Sequence, residues 1–345
     1  MSSGELMMSY RLLVLCLCLS FAFSACAQSV AAPASDFASG TEQRLLPTDE
    51  HMVVSVDVVE VYFNVRAGSQ FVPGLPKEEF EVLENGRPEV VRYFSALSEQ
   101  PLRIGLMIDT SGSQTRVIQA EKEVAGNFLN QVLREGDQAM LVSFDSGVEL
   151  KQDFTSSTEK LHEALRRVER ASSHSSPELG DMPAPRRSTA LYDSIRLVSS
   201  SRMRRVQARK VFIILTDGED QGSRTTADDA ITAALQSDAI CYVLLVADSE
   251  VSSRKGYQGE TKMEELAKST GGRLIHVRKH LRDLQKRFDE ISLELRNHYS
   301  IGYTPQDRSS RVEYRRLSVQ SKHGFRVQAR QGYFANFKKQ AEGKR

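Results

Sequence analysis

The chain of 345 residues carries 46 Lys and Arg against 45 Asp and Glu, a formal net charge of +1, and is 40% hydrophobic. These are ordinary globular proportions, sufficient for a sizeable core and more than one domain, and near-neutrality favours no polyanionic partner. The charge is uneven: residues 296–345 hold 12 Lys and Arg against 3 Asp and Glu. A solvated basic face accounts for this better than a nucleic-acid or membrane patch.

In chain order, residues 1–27 read as an export signal. Arg11 supplies the positive start, and Leu12 to Phe23 is apolar apart from Ser20, too short to span a bilayer. Ala25-Cys26-Ala27 offers the small residues of a cleavage site. The alternative is a lipoprotein box with Cys26 acylated. Phe23 fits that box poorly, which favours free export, and either outcome places the protein in the periplasm or outside the cell. Cys16, Cys18 and Cys26 all lie in this segment, so Cys241 alone remains afterwards. A disulfide framework is thereby excluded.

Residues 28–50, rich in Ala, Ser, Pro and Thr, read as a flexible leader. An N-terminal β unit follows over 51–97. Val53–Val65 is rich in β-branched residues, Ala67-Gly68-Ser69 breaks it, and Phe80–Glu84 is a second strand. Asn85-Gly86 marks a tight turn before a returning strand at Glu89–Phe94.

From Leu102 the pattern changes to buried strands alternating with amphipathic helices, the mark of a doubly wound, mostly parallel α/β sheet over 102–295. Strands are expected at Leu102–Ile108, Gln138–Phe144, Val148–Gln152, Lys210–Leu215, Ile240–Val246 and Arg273–Val277. Helices are expected at Ile118–Leu133, Ser157–Val168, Leu191–Val198, Ala227–Gln236, Lys262–Ser269 and Leu281–Leu295. Over 298–334, Tyr299–Tyr303, Tyr314–Val319 and Phe325–Ala329 look like strands. They are too few for a sheet of their own and should pack with the N-terminal unit as an accessory β-sandwich. Residues 335–345 read as a disordered tail.

The chemistry concentrates in Asp109-Thr-Ser111-Gly-Ser113, directly after the first buried strand. Thr189 follows much later, and Asp217 comes two residues after another such strand. Ligands of open parallel sheets bind at the carboxyl ends of the strands. Two carboxylates and three hydroxyls at that edge make an all-oxygen cradle suited to a hard divalent cation. Mg2+ is the first expectation, with Mn2+ or Ca2+ as alternatives. Each part alone is commonplace: Asp217-Gly218 is an ordinary turn and Ser111 an ordinary helix cap. Their order and their positions at strand ends set them apart.

This constellation resembles the metal-ion-dependent adhesion site of the von Willebrand factor A domain family. The resemblance covers about 102–295 and matches Asp109, Ser111, Ser113, Thr189 and Asp217. The flanks (Gly74 to Gly86, Ser300-Ile-Gly-Tyr-Thr-Pro and Arg330-Gln-Gly-Tyr333) are similar to exported bacterial proteins of the same group. The resemblance implies a Rossmann-like fold and an adhesive or scaffolding module. A protein partner's acidic side chain would complete the ion's coordination.

Other chemistry is sparse. No nucleophile elbow, phosphate loop or Cys-x-x-Cys pair is present, and the histidines lack metal-ligand spacing. No enzyme is therefore expected. A metal-dependent hydrolase and a scaffold with a vestigial site stay open as alternatives. Asp145 reads as a turn former, and Glu219 and Asp220 as a solvated loop. The polar stretch Ser172–Arg187 reads as a rim that selects the partner. No nucleic-acid partner is expected, and a membrane only through a lipid at Cys26.

Overall fold

The run Leu102–Asp109 is apolar almost throughout because it is covered on both faces, and it becomes a central strand. The computed structural model of the protein describes residues 58–96, 100–112, 114, 117–168, 189–246, 258–278, 281–307 and 312–335. The expected export signal and leader, Ser113, and the rim at 172–187 lie outside the described residues.

The central sheet has six strands in the order β11-β10-β9-β6-β7-β8. These are β6 (Leu102–Asp109), β7 (Gln138–Phe144), β8 (Val148–Thr155), β9 (Arg209–Thr216), β10 (Ala239–Leu245) and β11 (Leu274–His276). Neighbours are parallel except β7 with β8, which the Asp145-Ser146-Gly147 turn makes antiparallel. The α/β expectation therefore holds, with strand ends displaced by one to three residues.

Helices cover both faces. On one lie α1 (Ile118–Val132), α2 (Thr158–Arg166) and α6 (Leu281–Arg296), sharing a core that includes Val124, Phe128, Leu161, Phe288 and Ile291. On the other lie α3 (Leu191–Ser201), α4 (Ala227–Gln236) and α5 (Gln258–Thr270), packed through Ile195, Val198, Ile231 and Leu266. The chain leaves β6 towards the first face and β9 towards the second. A crevice opens between those two strand ends, where such sheets bind ligands.

The flanking segments form two further sheets sharing one core, as the accessory sandwich requires. One holds β1 (Val59–Ala67), β2 (Gln70–Phe71), β5 (Val91–Ser95), β12 (Tyr299–Tyr303) and β14 (Arg326–Ala329). The other holds β15 (Gly332–Ala335), β13 (Glu313–Ser321), β3 (Phe80–Glu84) and β4 (Arg87–Glu89), in that order. Phe63, Phe80 and Tyr299 form an aromatic cluster between them, with ring centroids 4.9 to 5.4 Å apart.

Two expectations are corrected. The returning strand at Glu89–Phe94 breaks at the exposed Val90. Its first half pairs with β3 and its second with β12, so the N-terminal unit closes no sheet by itself. Ala335, assigned to the tail, is the buried last residue of β15, which the sequence did not announce.

The sandwich is joined to α6 by charge. Glu294 is fully buried and accepts from Arg66 of β1 at 2.6 Å and from Arg273 at 2.5 Å. Removing one member of a buried pair leaves the others desolvated and unmatched. Glu294→Ala should therefore destabilise the protein by about 3–5 kcal/mol, read as a lower urea midpoint. An unchanged midpoint would show the two arginines finding water instead.

Candidate metal centre

The crevice is organised by Asp109, the last residue of β6, whose side chain is fully buried. Its Oδ1 accepts from the Ser111 amide at 2.9 Å, and its Oδ2 accepts from the Thr216 hydroxyl at 2.8 Å. The Ser111 hydroxyl bonds to the same carboxylate. Thr216 ends the adjacent β9, and its Oγ1 also accepts from the Gly218 amide at 3.0 Å. That bond sets the turn after Asp217, with Gly218 at φ +83°, a conformation suited to glycine. Asp217 is itself buried and accepts from the Glu219 amide at 3.0 Å.

Thr189 reaches this edge through the loops around it. Its carbonyl accepts from the Gln221 and Gly222 amides at 3.2 and 3.0 Å, and the next residue, Ala190, donates to the Asp145 carbonyl at 2.5 Å. Asp145 shapes the β7–β8 turn as expected, its Oδ1 accepting from the Gly147 amide at 3.0 Å. Asp220 is not a solvated loop residue: its Oδ1 accepts from the Tyr192 amide at 3.2 Å and caps the start of α3. This cap, with a bond from the Asp193 amide to the Ser223 hydroxyl at 3.0 Å, ties the loop after β9 to the segment carrying Thr189. Asp109, Ser111, Thr189 and Asp217 thus share one edge of the sheet, while Ser113 lies outside the described residues.

Sequence reasoning missed two members of this edge. Thr216 received no role, the expected strand stopping at Leu215. Glu121 of α1 was read only as a helical residue, yet its side chain is 1% exposed and no donor among the described residues reaches either carboxylate oxygen. The signal was available: Glu121 stands three, four and seven residues before the buried Val124, Ala125 and Phe128. Helical periodicity places all four on one face.

The edge is electrostatically frustrated. Burial, and next the charge of Asp217, pushes the Asp109 carboxyl up to about 7 against the hydrogen bonds from Ser111 and Thr216. Burial, and next the charges of Asp109 and Asp217, pushes Glu121 up to about 8. No Lys or Arg among the described residues is paired with any of the three. No group of three His, Cys, Asp or Glu side chains among the described residues is arranged to hold an ion alone, so a centre here must draw on hydroxyl oxygens as well. The donors present are all oxygen, which fits a hard divalent cation and not a soft one.

Comparison with known proteins follows the same lines. Residues 104–219 match the family model of the von Willebrand factor type A domain. The chain carries a von Willebrand factor type A domain. No curated protein matches it. Among solved structures, BatB of Bacteroides thetaiotaomicron, a conserved hypothetical protein, is 19% identical with a TM-score of 0.42, covering 56% of this chain and 98% of that one. Proximal thread matrix protein 1 of the mussel byssus, with a zinc-occupied MIDAS motif, is 17% identical with a TM-score of 0.44, covering 58% of this chain and 46% of its own. The VWA domain of SpRpn10 is 12% identical with a TM-score of 0.39, covering 55% and 95%.

The raised carboxyls give the stability of the ion-free protein a definite pH dependence. Between the ordinary carboxylate range and about 7 to 8, the folded VWA domain binds more protons than the unfolded chain. Stability therefore falls as pH rises through that window. In chelator, the melting temperature should drop between about pH 5 and about pH 8.5, and added Mg2+ should recover more of it at the higher pH, where protons compete least. Flat melting temperatures across that range would contradict the frustrated edge.

Proposed function

We propose that this protein is an exported, non-enzymatic binding module that captures an acidic side chain of a protein partner through a divalent cation. Asp109, Ser111, Ser113, Thr189 and Asp217 would hold the ion, Mg2+ in the first instance. The observation that carries the reading is the pair of buried carboxylates, Asp109 and Asp217, on adjacent strand ends with no cationic partner among the described residues. Buried charge of one sign is retained where a counter-charge arrives from outside the chain.

When bound, a divalent cation supplies positive charge and a coordination position that accepts a carboxylate oxygen. The chain's own residues do the rest. Thr216 fixes the Asp109 carboxylate and the Asp217 turn together, so the two acids keep their spacing. Asp220 and Asp145 hold the Thr189 segment against that turn. Such preorganisation lowers the cost of binding because the loops are ordered beforehand. With only two carboxylates in this set, the ion stays electron-poor and retains an appetite for one more from a partner.

Export is part of the proposal and rests on the apolar stretch Leu12 to Phe23 and the cleavage-like Ala25-Cys26-Ala27. No helix among the described residues is long and apolar enough to cross a membrane.

Calorimetry with MgCl2 and capture of partners from an envelope fraction test the reading. The wild type should bind the ion and retain partners that chelator releases. Asp217→Ala should lose both while its circular dichroism is preserved. Equal capture in chelator and in Mg2+ sinks the proposal. Mg2+-dependent turnover of phosphate or peptide esters would replace it with a hydrolase.

A further inference from the structure

Glu121 sits in the first turn of α1, where the helix dipole favours an acid, but on the buried face that packs against the sheet, where the dipole does not replace the hydrogen bonds lost to water. Its backbone amide bonds normally to the Val117 carbonyl at 2.9 Å, so the helix does not hold it there for want of a cap. The side chain is 1% exposed, neither oxygen is met by a donor among the described residues, and the charges of Asp109 and Asp217 both act on it. A second side chain repeats the pattern. Gln114 is 2% exposed; its Nε2 donates to the Val246 carbonyl at 3.4 Å, while its Oε1 has no partner among the described residues. Its backbone closes the turn after Ser111, donating to the Ser111 carbonyl at 3.0 Å. Val246 in turn donates to the Thr216 carbonyl at 2.8 Å, which brings Gln114 to the same strand ends.

Buried acceptors without donors are expensive, and three beside two further carboxylates are more so. The arrangement is relieved by donors that arrive with a cation. Mg2+ dehydrates reluctantly and keeps several waters, each polarised into a strong donor. The absence of a three-acid ligand cluster among the described residues argues that Glu121 works one layer behind the ligands rather than among them.

We propose that Glu121 and Gln114 are positioning residues of the metal centre, accepting hydrogen bonds from the cation's water molecules and adding a third carboxylate to the charge that retains it. This rests on the metal-binding reading above. It sets ion selectivity. An ion that keeps its water, Mg2+, uses these acceptors, whereas Ca2+, which exchanges water readily for protein oxygens, depends on them less.

The test is calorimetric titration of the full-length protein with MgCl2 and with CaCl2, for wild type, Glu121→Gln and Gln114→Met, alongside melting temperatures in chelator. Glu121→Gln should weaken Mg2+ by about tenfold or more, the range seen when groups behind metal ligands are removed, and weaken Ca2+ less. Its ion-free form should melt no lower than wild type, because an unmatched buried acid has been removed. Gln114→Met should weaken Mg2+ in the same direction. Unchanged Mg2+ affinity in Glu121→Gln, or equal weakening of both ions, overturns the inference and leaves the metal site standing. A wild type that binds neither ion overturns the metal reading itself, and this inference with it.

Discussion

Two acids taken out of water at the ends of neighbouring parallel strands, Asp109 and Asp217, dictate the architecture of the whole crevice. Like charges in a low-dielectric edge repel, and each must be held in place by donors from elsewhere. Those donors are few and shared. The Thr216 hydroxyl gives its proton to Asp109 and takes one from the Gly218 amide, so a single side chain couples both acid-bearing loops. The Ser111 and Glu219 amides complete the cradle from within the two loops. The loops are ordered by what they must satisfy, and two buried acids without a cationic partner among the described residues stand at the crevice.

The accessory sandwich keeps clear of that edge. It meets the sheet near the opposite strand ends: Arg330 bridges to Asp238, just before β10, at 2.6 Å, and the Arg209 guanidinium at the start of β9 faces the Tyr62 ring at 5.9 Å. Glu294 adds a buried tie between α6 and β1, and β12 begins only three residues after α6 ends. The last helix packed on the central sheet is therefore continuous, in chain and in charge, with the sandwich. The sandwich needs both flanks because each supplies only part of either sheet; Ile301 lies opposite Phe94, and Leu317 opposite Glu84.

Much of this was legible in order along the chain. The alternation of apolar strands with helices of 3.6-residue period located the strands and helices of the central sheet to within a few residues, because burial on both faces leaves a strand no polar positions. The acids were conspicuous because a carboxylate directly after such a run has only the sheet edge to occupy. Less legible was Glu121, although its spacing from Val124 and Phe128 placed it on the buried face; a charged residue reads as solvated unless the counter-charge is known. The division of Glu89–Phe94 between two sheets was not legible at all. Its first half pairs locally with β3, but the partner of its second half, β12, lies more than two hundred residues away, and no local pattern encodes a distant edge.

By itself, then, the sequence determined the fold class and the place of the strand ends, because each follows from periodicity over a few residues. Only the tertiary structure decided which loops converge. Thr189 joins the loop after Asp217 through the carbonyl that Gln221 and Gly222 donate to, and the charges of the two aspartates reach Glu121 because α1 packs against the sheet. These are contacts between segments far apart in the chain, and their energies come from desolvation and charge in a shared interior, which no single segment possesses alone.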